Sequence, residues 1–281
     1  MGAGQSGKKT GAIIQARMQS TRLPGKILLP LPLIDGKPLL ECIIDELKNC
    51  SEVDEIILAT SINPDNDILQ SLAEKNNIRL FRGSESDVLS RFVSIGKLYN
   101  LDTIVRLTAD NPILDIQLLG NLIQHHHKER NDYTHSSHLP LGMNMEIVNT
   151  WVLNEYSLFN DLASEDREHV TLYIERSKKY KAEMKPLWPV SLTNKVRVTI
   201  DYPVDYALVC ILYTISKAKY IVGMELISFV NSHFPWLWEV NLDSYQKVNY
   251  SSLNEELEAA IKILNKADLG KAAELLKSKL V

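Results

Sequence analysis

Cysteine is scarce in this 281-residue chain: Cys42, Cys50 and Cys210 show no CxxC spacing and, being three, cannot all pair. A disulfide framework is thereby excluded, and the thiols read as reduced and mostly buried, in a cytoplasmic protein. Long apolar runs are missing as well. The nearest, VDYALVCILYTIS (204–216), is shorter than the roughly 18–20 residues that span a bilayer and contains Asp205, so it reads as a buried helix. Strong charge of one sign is absent too. A net charge of −4 argues against a general nucleic-acid or membrane-surface binder, while leaving room for a local basic pocket. No apolar h-region precedes the first predicted strand, so no signal peptide is expected, and residues 1–10 read as a flexible leader. There is no internal repeat, no legible Ser-His-Asp pattern and no GxGxxG after a strand.

What is present is an ordinary globular composition, 45% hydrophobic and 23% charged, long enough to bury a large core. Apolar, β-rich runs at GAIIQA (11–16), DEIILATS (54–61), IRLFRG (78–83) and DTIVRLTA (102–109) alternate with amphipathic stretches at 39–50, 65–76 and 86–100. That alternation predicts βαβ units and a three-layer α/β fold around a mainly parallel sheet. Beyond Ile113 the rhythm loosens. A helix is expected over 115–129, strands at DYTHSS and MNMEIVN, helices at WVLNEYSLFNDL and REHVTLYIERSKKY, and a late strand at KVRVTI (195–200). A helix at 204–219 follows, and two short helices broken near Asp268 end the chain. The expected organisation is a catalytic domain over 11–224 and a mainly helical appendage over 225–281.

Two stretches near the start invite a phosphate. GAGQSGKKT spells G-x-x-x-x-G-K, but Lys9 stands where Ser or Thr should bind magnesium, and a strand follows where a helix should begin. The segment Arg17 to Lys26, RMQSTRLPGK, follows the first strand, beyond whose carboxyl end ligands of such sheets bind. Arg17, Arg22 and Lys26 supply cations, Ser20 and Thr21 hydroxyls, and Pro24-Gly25 a turn that lets backbone amides approach a ligand. Its context makes it an anion site rather than a solvated basic loop.

Asp110 in RLTADNP and Asp201 in VTIDYP each end a predicted strand two residues before a proline. Singly, such an aspartate caps a helix; as a neighbouring pair they offer hard oxygen ligands for Mg²⁺. His125-His126-His127 lacks the i, i+4 spacing of a helical metal site and reads as a solvated helix end. Arg167, Glu168 and His169 either contact an anionic acceptor or pair on the surface, and Glu146 faces either a pocket or solvent. Arg82-Gly83-Ser84 lies at the end of the third strand, on the same edge. Asp65-Asn66-Asp67 is an Asp-x-Asp triplet of the kind used by sugar transferases, read here as a helix start.

AIIQARMQSTRLPGKILLPL, with DGKPLLECIIDEL, DEIILATS, FRGSESDVLSRF, VRLTADNPILD and REHVTLYI, resembles the SpsF-like cytidylyltransferases of spore-coat polysaccharide biosynthesis. It is similar, more distantly, to the synthetases of CMP-ketodeoxyoctonate and CMP-sialic acids. The resemblance implies a Rossmann-like, GT-A-like nucleotidyltransferase fold that transfers CMP from CTP to a small anionic acceptor with Mg²⁺, releasing pyrophosphate. It implies that Arg17, Arg22 and Lys26 hold the triphosphate, and that Asp110 and Asp201 hold the metal. Ala16, Ser20, Thr21, Gly25, Arg82, Ser84 and Asp87 would lie on the nucleotide side, and Asn144, Glu146, Arg167 and His169 toward the acceptor. A cytoplasmic homodimer that neither binds nucleic acid nor inserts into a membrane is the accompanying expectation. Ala109 and Asn111 flank Asp110 where relatives usually carry Gly and often Cys, and Asn144 replaces an Asp. A glycosyltransferase using an intact nucleotide sugar and a non-catalytic nucleotide-binding module are the alternatives.

Overall fold

Four runs of the first half assemble the parallel part of one sheet. Thr10–Gln15, Glu55–Ser61 and Thr103–Thr108, inside it, carry the buried apolar side chains that a sheet covered on both faces needs, and Arg79–Gly83, at its edge, is only half-buried. The computed structural model describes residues 8–192, 195–242 and 252–279, so Gly2 to Gly7 of the glycine-rich start lie outside the described residues. In chain order, β1 (Thr10–Gln15) precedes a small hairpin of β2 (Pro30–Leu31) and β3 (Lys37–Pro38), then α1 (Leu39–Leu47), β4 (Glu55–Ser61), α2 (Ile68–Lys75), β5 (Arg79–Gly83), α3 (Val88–Leu98), β6 (Thr103–Thr108) and α4 (Ile116–Glu129). There follow β7 (Tyr133–Ser137), β8 (Glu146–Asn149), α5 (Thr150–Tyr156), α6 (Ser164–His169), α7 (Leu172–Ser177), β9 (Ala182–Pro186), α8 (Pro203–Lys219) and α9 (Gly223–His233). The sheet order is β5-β4-β1-β6-β8-β7-β9. The first four strands are parallel, β8 runs antiparallel to both β6 and β7, and β9 is parallel to β7.

Alternation along the strands divides the core between the two faces. Ala12, Ile14, Leu58, Val105, Leu107 and Ile147 pack toward α1, α2, α4, α8 and α9. Ile13, Ile57, Ala59, Ile104 and Val148 pack toward α3, α5 and α7. The three-layer expectation is met. Asp87 and Asp115 cap α3 and α4 by accepting from the N–H groups of Ser90 and Leu118, both at 2.9 Å. Among the described residues no single helix is long and apolar enough to cross a membrane, and α8 buries Leu208, Val209 and Leu212 against the sheet.

Contacts separate the chain into two units, Met1–Ser244 and Tyr245–Val281. Met224, Leu226, Ile227, Val230, Leu237 and Trp238 belong to the first unit's core, so the first part of the expected appendage, through Trp238, packs with the sheet domain. At the other end, the main chain of Lys9 bonds to Asp102 and Thr103, so the end of the expected leader is already part of the fold. The second unit contains the helix pair α10 (Leu253–Lys266) and α11 (Gly270–Lys277), broken near Asp268 as expected.

Three local expectations are corrected. KVRVTI is extended but is no strand of the sheet. Its N–H and C=O groups pair instead with loop residues: Val198 N–H donates to Leu141 O at 2.8 Å and Ile200 N–H to Asp110 O at 2.9 Å. The helix expected over 167–180 breaks at Val170, whose φ of 64° and ψ of −51° make a γ-turn closed by Thr171 N–H on His169 O at 2.7 Å. The histidine run is no solvated end. His125 meets Glu183 at 2.9 Å, His127 meets the Thr103 hydroxyl at 3.1 Å, and His126 is fully buried between Thr134 and Asn149.

Burial pushes the His126 imidazole down to about 4 from its ordinary 6.5. The unfolded chain therefore binds a proton between those values that the folded chain refuses. Stability is full above pH 6.5 and falls as the pH drops toward 4, by about 3 kcal/mol in all. Urea unfolding at pH 7 and pH 5 is expected to show about 2 kcal/mol of this loss in the wild type and a smaller one in His126→Gln; equal losses would contradict it.

Candidate active site

The site forms at the carboxyl ends of β1 and β6, where three separate segments converge. The first is the loop after β1. Gly25 adopts a φ of 68°, a left-handed conformation that suits glycine, and its N–H closes the loop on Met18 O at 3.2 Å. The turn drives Lys26 inward, where it is only 8% exposed. The second segment is the turn after β6, carrying Asp110. The third is the extended 195–200 segment, carrying Asp201. Gly142 lets this segment approach, because a Cβ there would lie 2.4 Å from the Thr199 nitrogen. The Ile200 N–H bond to Asp110 O then sets Asp201 beside Asp110.

Lys26 is the hub of the three segments. Its ammonium donates to Asp110 Oδ2 at 2.8 Å, Asp201 Oδ1 at 3.1 Å and Ile200 O at 2.6 Å. Arg22 adds a second cation, 2.8 Å from Asp201 Oδ1, with its guanidinium 4.7 Å from the Tyr202 ring centre. Burial opposes ionisation of Asp201, yet Lys26, Arg197 and Arg22 outweigh it and hold its carboxyl below the usual carboxylate range. The two expected metal aspartates thus share one cation. Among the described residues no group of three or more His, Cys, Asp or Glu side chains could hold a metal alone. A hard divalent ion that completes its shell with phosphate oxygens fits this donor set.

Arg17, Ser20 and Thr21 line an open cleft of about 670 Å³ beside this cluster, together with Gln19 and Asp65. Arg17 is exposed; burial lowers the pKa of the neighbouring Arg91, and the positive field of Arg17 lowers it further. Ala16 donates its N–H to Ala59 O at 3.0 Å, the last rung between β1 and β4. Arg82 is held against the β4–α2 loop, bonding Ser61 O, Asn63 O and Asp67. The Ser84 hydroxyl accepts from Asp87 N–H at 3.1 Å.

Of the expected acceptor residues, Glu146 begins β8, Asn144 lies just before it, and Arg167 and His169 lie on α6. Glu146 pairs with Arg106 at 2.7 Å and accepts the Thr171 hydroxyl, just past the γ-turn. Arg167 reaches Asp87 at 3.0 Å, linking the two expected groups directly. His169 is exposed, and the Asn144 side-chain oxygen is buried with no partner among the described residues. The Asp-x-Asp triplet is no metal site: Asp65 accepts from Gln19 at 2.7 Å, while Asp67 pairs with Arg82 at 2.6 Å.

Sequence reasoning missed Arg91, Arg106 and Arg197. Arg197 pairs with Asp201 at 2.8 Å and with the fully buried Asp205 at 3.1 Å, bracing the turn that presents Asp201. A signal was available for two of them, since Arg106 and Arg197 each interrupt an otherwise apolar extended run. A cation in such a place needs a buried partner.

A cytidylyltransferase family model matches residues 11–211, which include all three converging segments. The spore coat polysaccharide biosynthesis protein SpsF of Bacillus subtilis is 36% identical over 78% of this chain and 92% of its own. A cytidylyltransferase structure from Leptospira borgpetersenii superposes with a TM-score of 0.74 at 29% identity, over 86% of this chain and all of that one. A CMP:2-keto-3-deoxy-manno-octonic acid synthetase in complex with CTP shares the fold, with a TM-score of 0.57 at 15% identity over 74% of this chain and all of its own. The chain belongs to the cytidylyltransferase family and is a nucleotidyltransferase.

Proposed function

We propose that the protein transfers CMP from CTP to a small anionic acceptor, such as a sugar acid, for surface polysaccharide or glycan biosynthesis. The observation that carries this reading is Lys26 held between Asp110 and Asp201, at the end of the same loop whose Arg17, Ser20 and Thr21 line an open cleft. Arg17, Arg22, Ser20, Thr21 and the Gly25 backbone would receive the triphosphate, with Ala16, Arg82, Ser84 and Asp87 on the nucleoside side. Asn144, Glu146, Arg167 and His169 would face the acceptor.

An acceptor oxygen attacks the α-phosphorus in line, forming the new O–P bond as the bond to the β-phosphate oxygen breaks and pyrophosphate leaves. Lys26 and Arg22 act by charge on the phosphates, where negative charge builds on the leaving group. The fixed loop orients the α-phosphorus toward the acceptor face. Mg²⁺ on Asp110 and Asp201 would supply Lewis-acid neutralisation of the triphosphate. The relatives' names and the site's chemistry support CTP, and the protein is read as a cytoplasmic homodimer.

Pyrophosphate release from CTP, measured against a panel of sugar acids and sugar phosphates, tests the reading. Acceptor-dependent release is expected with Mg²⁺, is lost on chelation and returns when Mg²⁺ is restored. Release that persists unchanged in chelator would contradict the metal assignment, and transfer from an intact nucleotide sugar without pyrophosphate would contradict the activity.

A further inference from the structure

The Asp65-Asn66-Asp67 triplet has no place in the proposed chemistry, yet its middle residue touches the phosphate loop. Asn66 is 3% exposed. Its side-chain oxygen accepts from Met18 N–H at 2.8 Å, and its side-chain nitrogen donates to Ser61 Oγ at 2.8 Å. The residue before Arg17 is fixed as well, by the Ala16 N–H bond to Ala59 O. Strand pairing between β1 and β4 ends with that bond, and the next outward N–H, that of Met18, has no strand partner. Ser61 O, near the position of the next rung, accepts from Arg82 Nε at 3.3 Å. The Asn66 amide therefore extends the ladder by one rung past the end of the strands. Arg17 sits between the two rungs, with both flanking peptides pinned and its guanidinium projecting over the cleft.

We propose that Asn66 is a positioning residue for Arg17, fixing the exposed cation where the triphosphate binds. The inference rests on the CTP reading above. Arg17 is exposed and forms no ion pair among the described residues, so the backbone at its two neighbours is what limits where its charge can lie. Without the Asn66 rung the main chain of Met18 keeps, among the described residues, only the Gly25 N–H bond to Met18 O. Arg17 then samples more positions, and nucleotide binding must bear the entropy of ordering it.

Calorimetric titration of the full chain with CTP and Mg²⁺ tests this through a double-mutant cycle of Asn66→Ala and Arg17→Ala, with Asn66→Asp as the conservative control. Asn66→Ala is expected to weaken CTP binding about tenfold in the wild type and less than about twofold in the Arg17→Ala background, the coupling expected within one network. Asn66→Asp keeps the acceptor for Met18 N–H and the contact with the Ser61 hydroxyl, and is expected to bind within about threefold of wild type. A merely structural role would give the same loss in both backgrounds. That result, or no loss in either, overturns the inference and leaves the CTP reading standing. A wild-type chain that binds no CTP overturns both.

Discussion

Replacing Lys26 with alanine is expected to lower turnover by about 10²–10³, the scale set by removing one group aimed at charge developing in a transition state. The same ammonium serves two ends. It offsets the carboxylates of Asp110 and Asp201 before nucleotide binds, and it lies where the phosphates arrive. Lys26→Ala leaves two facing carboxylates without their shared cation, so the free variant is expected to attract divalent metal more strongly while losing turnover. Calorimetry with Mg²⁺ alone, beside the pyrophosphate assay, checks both halves. Near-wild-type turnover would remove Lys26 from the mechanism.

The two aspartates are expected to part company when each is made asparagine. Both variants should lose turnover by about 10²–10³, because each removes a negative ligand from the site. Their stabilities should differ. Among the described residues Asp110 has a single cationic partner, Lys26, whereas Asp201 lies against Lys26, Arg22 and Arg197. Neutralising Asp201 leaves three cations crowded around a neutral amide, and breaking partly buried pairs in this way costs up to about 3 kcal/mol. Thermal melts should therefore place Asp201→Asn roughly 5–10 °C below wild type, with Asp110→Asn close to it. Equal melting temperatures would contradict the view that Asp201 is the electrostatic centre of the cluster.

The parallel half of the fold was legible because β1, β4, β5 and β6 are apolar runs spaced by amphipathic helices. The antiparallel half was less so. β9, with the sequence AEMKP, alternates exposed and half-buried residues at the sheet's edge and carries no apolar run to mark it. KVRVTI has the alternation of a strand, and the structure uses that pattern to bury Val196, Val198 and Ile200 without giving the segment a place in the sheet. For the site, Lys26, Asp110 and Asp201 could be picked from the ends of extended runs, since that is where α/β folds gather ligand groups. Asn66 and Arg197 could not be placed as readily. Their roles come from partners such as Met18 N–H and the Asp201–Asp205 turn, and long-range pairings of this kind leave no local periodicity. The histidine run misled for a related reason: helical geometry sends its three rings in different directions, and one of those directions is the core.

The central claim is that RMQSTRLPGK, rather than the glycine-rich GAGQSGKKT before it, grips a cytidine triphosphate. Calorimetric binding of CTP, ATP, GTP and UTP with Mg²⁺ tests it most directly, on the full chain, on a variant lacking residues 1–7, and on Lys26→Ala. The expected result is a preference for CTP that survives the deletion and fails in Lys26→Ala. Binding of ATP or GTP that vanishes with residues 1–7 and is indifferent to Lys26 would contradict it.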